Sequence, residues 1–188
     1  AVTGPITLGF SCAAMGIKGS YNDIRDVRIY EDFAEALRPV VERLLSMGSM
    51  VQIDEPSLST RVMEETKAIK IINNILLNGL DMDDRLSFHI CGAIKPELFN
   101  NLLKIDAPII SLAFGGAEEG KNVEILSRKL LEESSTKLGA GCISVAAMKE
   151  QDVESIETVC ERLSKIKVDI GLENIAYLHP NYGFGSTK

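Results

Sequence analysis

Short apolar runs alternate with longer amphipathic stretches along the whole chain. Val2 and Ile6 to Leu8 surround Gly4-Pro5 and predict a first strand over residues 2–8, broken at the proline. Residues 9–22, with Gly, Ser and Asn, read as a long loop. Asp26 precedes Phe33, Leu37, Val40, Val41, Leu44 and Leu45 at helical spacing. That stripe predicts a helix over 28–47, ended by Gly48 and kinked at Pro39. A strand over 50–53 runs into Asp54-Glu55-Pro56, and a helix over 61–78 follows, capped by Ser59 or Thr60 and closed by Gly79. The remaining strands are expected at 86–90, 108–114, 137–145 and 174–178. The remaining helices are expected at 96–103, opened by Pro96, at 122–132 and at 152–165.

Strand, loop and helix thus recur about six times without a hairpin signal, which argues for parallel strands joined by crossover helices. Nearly continuous apolar strands fit a sheet covered on both faces. A doubly wound sheet and an eight-unit barrel both satisfy this rhythm. A dinucleotide fold needs its Gly-x-Gly-x-x-Gly turn directly after a strand, whereas Gly139-Ala140-Gly141 lies inside one. Six units make three-quarters of a barrel, and open sheet edges are a liability. The chain also starts directly in a strand-like run. It is therefore expected to form one domain over 1–188, an incomplete barrel whose N-terminal units lie outside it. An oligomer or a second chain could complete such a barrel.

Composition narrows the partners. The 188 residues are 45% hydrophobic and 25% charged, as in an ordinary globular protein. No apolar run approaches the roughly 20 residues of a membrane span. The net charge of −7, without a basic block, argues against nucleic acid and anionic membranes. Cys12, Cys91, Cys142 and Cys160 are widely spaced, which fits a reducing cytoplasm better than a disulfide framework.

In either architecture the active site lies at the carboxyl ends of the strands. Ser11 and Cys12, Asp54 and Glu55, His89 and Cys91, Ser144, and His179, Asn181 and Tyr182 are the polar residues expected there. In an extended segment His89 and Cys91 share a face, and imidazole and thiolate are both zinc ligands. A core strand holding a histidine and a cysteine is the plainer alternative. Asp54 and Glu55 are candidate acid–base carboxylates pointing to opposite faces. Glu55 alternatively makes a salt bridge or turn contact, and Asp54 could hold a substrate ammonium.

Four motifs then carry a resemblance. Gly4-Pro5-Ile6-Thr7-Leu8, Gln52-Ile53-Asp54-Glu55-Pro56, His89-Ile90-Cys91-Gly92 and Pro180-Asn181-Tyr182-Gly183 occur in order. The chain resembles the catalytic domain of cobalamin-independent methionine synthase, above all its short archaeal relatives. The resemblance implies an α/β fold, a (β/α)₈ barrel of the methionine synthase and uroporphyrinogen decarboxylase superfamily, with about six of eight units present. It implies zinc that holds a thiol acceptor as thiolate, bound by a His-x-Cys pair, a glutamate and a late cysteine. It also implies methyl transfer to a thiol such as homocysteine from a methyl-folate, methyl-pterin or methylcorrinoid, and Asp54 on the homocysteine amino group. Ser111 and Tyr182 join Asp54 as expected substrate contacts.

Two positions depart from the family. Ala113 stands where the family has glutamate, and Tyr182 where it has cysteine. Three readings follow. The zinc site is rebuilt from His89, Cys91 and His179, or the chain is a zinc-less paralogue that moves a methyl group otherwise, or it serves a metal-free or binding role. The expected partners are a small-molecule thiol and a methyl donor, with a corrinoid protein as a further candidate. A decarboxylase of the same superfamily would need arginines on substrate carboxylates, and Arg61 and Arg85 read instead as solvated residues.

Overall fold

The computed structural model describes residues 1–17 and 19–183 of the 188-residue chain. Its packing divides into two units, Ala1–His89 with Lys104–Pro108, and Ile90–Leu103 with Ile109–Lys188.

In the first unit, β1 (Val2–Thr3), β2 (Val51–Asp54) and β3 (Leu86–Ile90) run parallel, with Thr3 opposite Asp54 and Asp54 opposite His89. The strand expected over 2–8 stops at Thr3, and the expected loop from residue 9 is helical as far as Met15. The cause is Pro5, which takes the first position of α1 (Pro5–Met15), where a missing N–H costs nothing and φ is pre-set. Ile6, Gly9 and Ala13 then fall on one buried face at helical spacing. Helix α2 (Val27–Ser46) is capped by Asp26, which accepts from the Arg28 N–H at 3.2 Å. Its buried residues are Ile29, Tyr30, Ala34, Val41 and Leu45, while Val40 of the expected stripe is exposed. Pro39 lies inside this helix.

Ser59 and Thr60 do not cap the next helix. Their hydroxyls donate back to the carbonyls of Pro56 (2.8 Å) and Ser57 (3.2 Å), closing a 3₁₀ turn over Pro56–Leu58. Helix α3 begins later than expected, at Glu65–Ile71, and continues as a π-helical segment, Ile72–Leu77. Asn73 of that segment donates to Lys104 O at 2.8 Å and accepts from Asp106 N at 3.0 Å, which explains why Lys104–Pro108 packs with this unit.

The second unit begins with α4 (Pro96–Leu102), opened by Pro96 as expected. Strands β4 (Ile109–Ala113), β5 (Lys137–Ile143) and β6 (Ile175–Pro180) follow in parallel, in that order. The helix expected over 122–132 is split. A 3₁₀ turn covers Glu119–Ile125, Leu126 is extended, and Ser127 restarts the chain as the cap of α5 (Arg128–Ser134). The last helix, α6 (Ile156–Ile170), begins after Ser155 rather than Asp152, because the Ser155 hydroxyl accepts from Thr158 N at 3.2 Å. Asp152 instead closes a preceding 3₁₀ turn.

Strands β3 and β4 are buried throughout, as parallel strands covered on both faces should be, whereas β6 has no fully buried residue. Among the described residues no helix is long and apolar enough to cross a membrane.

Candidate functional site

In the first unit the carboxyl end of β2 separates two carboxylates. Asp54 is half-buried and its Oδ1 accepts from Gln52 Nε2 at 2.7 Å. It sits in register beside buried His89, so both side chains occupy the same face of adjacent strand ends. Glu55 is fully buried. Its Oε1 accepts from Ile6 N at 2.9 Å, and its Oε2 accepts from Thr7 N at 2.9 Å and Thr7 Oγ1 at 2.7 Å. A carboxylate thus caps the amino end of α1, the favourable end for negative charge. Its own N–H donates to His89 O at 2.9 Å. Burial pushes its carboxyl up to about 7 against the hydrogen bonds from Thr7 and Ile6, which pull it down. A Cβ on Gly4 would overlap this carboxylate, so the Gly-Pro and Glu-Pro motifs form one structural lock.

In the second unit Cys91 follows β3 directly and is half-buried, before Gly92 at φ 87°. The loop around it is held by Asn122, which is 1% exposed. Asn122 Oδ1 accepts from Ile94 N at 2.8 Å, while Nδ2 donates to Gly92 O at 2.9 Å and Ala113 O at 2.8 Å. Buried Asn181 plays the same part after β4, accepting from Gly115 N and donating to Gly115 O, both at 2.8 Å. Glu154 and Arg162, each under 15% exposed, form an ion pair, and Glu154 also accepts from Ser144 N (2.8 Å) and Gly116 N (3.3 Å). Burial raises the Glu154 carboxyl, but Arg162 and the Ser144 N–H outweigh it and hold it below its usual value. Asn181 stands at an expected strand end in the sequence. Asn122, Glu154 and Arg162 look there like ordinary polar residues, and only the fold brings them to the loops.

Ser111 and His179 are brought together. Ser111 Oγ lies 2.8 Å from His179 Nε2, and His179 Nδ1 lies 2.5 Å from Pro180 O. A carbonyl only accepts, so Nδ1 carries the proton and Nε2 accepts from the serine hydroxyl. Burial lowers the imidazole pKa, which keeps the ring neutral. The ring reaches β4 because β5 carries glycines beneath it. A Cβ on Gly139 would lie 2.8 Å from Tyr177 Cζ, and one on Gly141 would lie 2.9 Å from Leu112 O and 3.0 Å from His179 Cε1. A glycine inside a strand signals such close approach. Gly141→Ala is expected to cost about 1–3 kcal/mol, because Leu112 O belongs to the backbone and cannot swing away. Urea denaturation of the variant checks this.

Tyr182 is 37% exposed and its hydroxyl donates to Glu119 Oε1 at 3.1 Å. Burial pushes the phenol up, and the charges of Glu119 and Cys91 push it further, so it is a poor anion donor near neutral pH. Ser11 and Cys12, expected on the rim, are within α1. Arg61 pairs with Glu65 at 3.5 Å, and Arg85 donates to Leu45 O at 2.5 Å, on the amino-end side of β3.

These donors do not fit the zinc that the resemblance implies. Ala113 has no donor atom and is fully buried, and Tyr182 is held on Glu119. Both ring nitrogens of His179 are engaged by Ser111 and Pro180. Among the described residues no three His, Cys, Asp or Glu side chains are placed to hold a metal ion.

Parallel strands joined by helices, with the polar groups collected at strand carboxyl ends, define an α/β protein with a TIM-type fold, of which the described residues supply six parallel strands. The solved B12-independent methionine synthase of Shewanella sp. W3-18-1 shares this fold, with a TM-score of 0.72 at 22% identity, covering 97% of this chain and 54% of that one. All of residues 1–188 match the family described as cobalamin-independent synthase, catalytic domain, and the chain belongs to that family. A methionine synthase of Methanothermobacter marburgensis is 32% identical over 183 residues, and one of Methanocaldococcus jannaschii 33% identical over 160. They cover 97% and 85% of this chain, which in turn spans 54% and 47% of their length, about half of each.

Proposed function

We propose that this chain takes part in methyl transfer to a thiol acceptor such as homocysteine, from a methyl-folate, methyl-pterin or methylcorrinoid. The family match over residues 1–188 carries this reading, since the matched relatives are methionine synthases. In the reaction the thiol loses its proton and the sulfur attacks the methyl carbon. The bond between methyl and donor breaks, and its electron pair leaves with the donor. Asp54 is the residue proposed to hold the acceptor. It is half-buried, acceptor-only when ionised, and fixed by Gln52, as an ammonium-binding carboxylate should be. His89 is proposed to bound the same face beside it. Cys91 is proposed to contribute a thiol held in place by Asn122's grip on Gly92 and Ile94. Glu55 is committed to α1, and its proposed part is to hold the backbone of β2 and β3 in place rather than to exchange protons with substrate.

The test is transfer from methylcobalamin or a methylated pterin to homocysteine, followed by methionine formation. Asp54→Asn is expected to raise the KM for homocysteine about 10- to 100-fold, the worth of one charge-assisted hydrogen bond. It should leave 2-mercaptoethanol, which has no ammonium, nearly unaffected. Equal losses for both thiols would remove Asp54 from the acceptor site, and no transfer to any thiol would sink the activity.

Ala113 and Tyr182 support a second reading, a non-catalytic relative that binds a methyl carrier or serves as a subunit beside a corrinoid protein. It predicts saturable binding of the methylated carrier without turnover.

A further inference from the structure

In the second unit Ala113, Gly141 and His179 are register neighbours on β4, β5 and β6, at the carboxyl ends where the site residues collect. In-register residues of parallel strands point to one face. Ala113 and Gly141 offer almost no side-chain volume there, and both are fully or nearly fully buried. The space over Gly141 is taken by the imidazole of His179. Its Cε1 lies against Gly141 and its Nε2 reaches across to Ser111, itself fully buried, while Nδ1 is tied to Pro180 O. A ring held at both nitrogens and packed on a glycine is a fixed part of the rim. Tyr182, three residues on, is turned to Glu119. Each departure from the family's donor pattern therefore has a structural counterpart. Ala113 brings no donor atom to the rim, the glycine on β5 makes room for a ring from β6 that bonds to Ser111, and the aromatic residue after β6 bonds to a carboxylate elsewhere.

We infer that His179, latched to Ser111 over Gly141, closes the rim position of the family's metal, so that the chain takes up no zinc there. This goes beyond the loss of two ligands. Restoring the ligand types alone would leave the ring in place, and metal uptake would still fail. The inference does not depend on methyl transfer, which is measured separately.

The experiment is zinc stoichiometry by mass spectrometry after incubation with equimolar zinc and gel filtration. The wild-type protein is expected to retain less than about one-tenth equivalent, as is the double variant Ala113→Glu/Tyr182→Cys. The triple variant that adds His179→Ala is expected to retain about one equivalent, as a four-donor zinc site does. Stoichiometric zinc on the wild type overturns the inference, and so does equal uptake by the double and triple variants. A triple variant that stays zinc-free with wild-type circular dichroism also overturns it. Should the variants fail to fold, the wild type decides through the imidazole ¹⁵N signals of His179. They should be unchanged by added zinc, with Nδ1 protonated, and a zinc-induced shift at Nε2 would overturn the proposal. A zinc-free wild type that transfers no methyl group leaves the closed rim standing and removes the proposed activity. A zinc-free wild type that does transfer supports both.

Discussion

Glu55→Ala is expected to destabilise the protein by about 3–5 kcal/mol at pH 5, since three donors lose one shared buried acceptor at about 1–3 kcal/mol each and the losses overlap. Three donors, Ile6 N, Thr7 N and Thr7 Oγ1, lose their acceptor at once, and two of them belong to the first turn of α1. Thr7 Oγ1 also accepts from Ser57 N at 3.1 Å, so the loss spreads to the turn after β2. The effect depends on pH in a definite direction. Burial raises the Glu55 carboxyl from 4.5 to about 7, so the folded protein holds a proton that the unfolded chain gives up. Between those values unfolding releases a proton, and wild-type stability falls as pH rises, levelling off above 7. At about 1.4 kcal/mol per unit the fall amounts to roughly 3 kcal/mol. The slope should vanish in Glu55→Ala, so its deficit shrinks from pH 5 to pH 8. Urea unfolding at the two pH values measures both effects. A deficit that stays the same at the two pH values would show that Glu55 is already ionised in the folded protein.

Arg162→Leu should cost a similar amount, about 3–5 kcal/mol at pH 7, with the opposite pH trend. Arg162 binds both oxygens of Glu154 and donates to Cys142 O. Without it a carboxylate under 15% exposed keeps only backbone donors. In the wild type Glu154 is held below its usual pKa, so its contribution is complete above the unfolded value near 4.5 and lost as pH falls through the folded one. In the variant the carboxyl loses its cation and its pKa rises. Acidification toward pH 4 then protonates it and removes most of the penalty. Because Glu154 bonds to Gly116 N and Ser144 N, the loops after β4 and β5 should loosen together, which hydrogen exchange at those amides would report.

The sequence alone determined the strand–helix rhythm, the third to fifth strands and the helix opened by Pro96. These rest on local physics, namely apolar runs long enough to be buried on both faces and a proline whose missing N–H suits a helix start. The four motifs, read in order, also fixed the family. Only the tertiary structure decided that Pro5 starts a helix, because the apolar β-branched residues after it suit a strand equally well until Glu55 arrives, 49 residues away, to accept from Ile6 N. It also decided that Gly139 and Gly141 form a floor for Tyr177 and His179, since a glycine in a strand shows space without showing what fills it. His179 stood on the expected rim and Ser111 among the expected substrate contacts. Their pairing was not legible, because the two are 68 residues apart and the bond exists only where β4, β5 and β6 lie side by side.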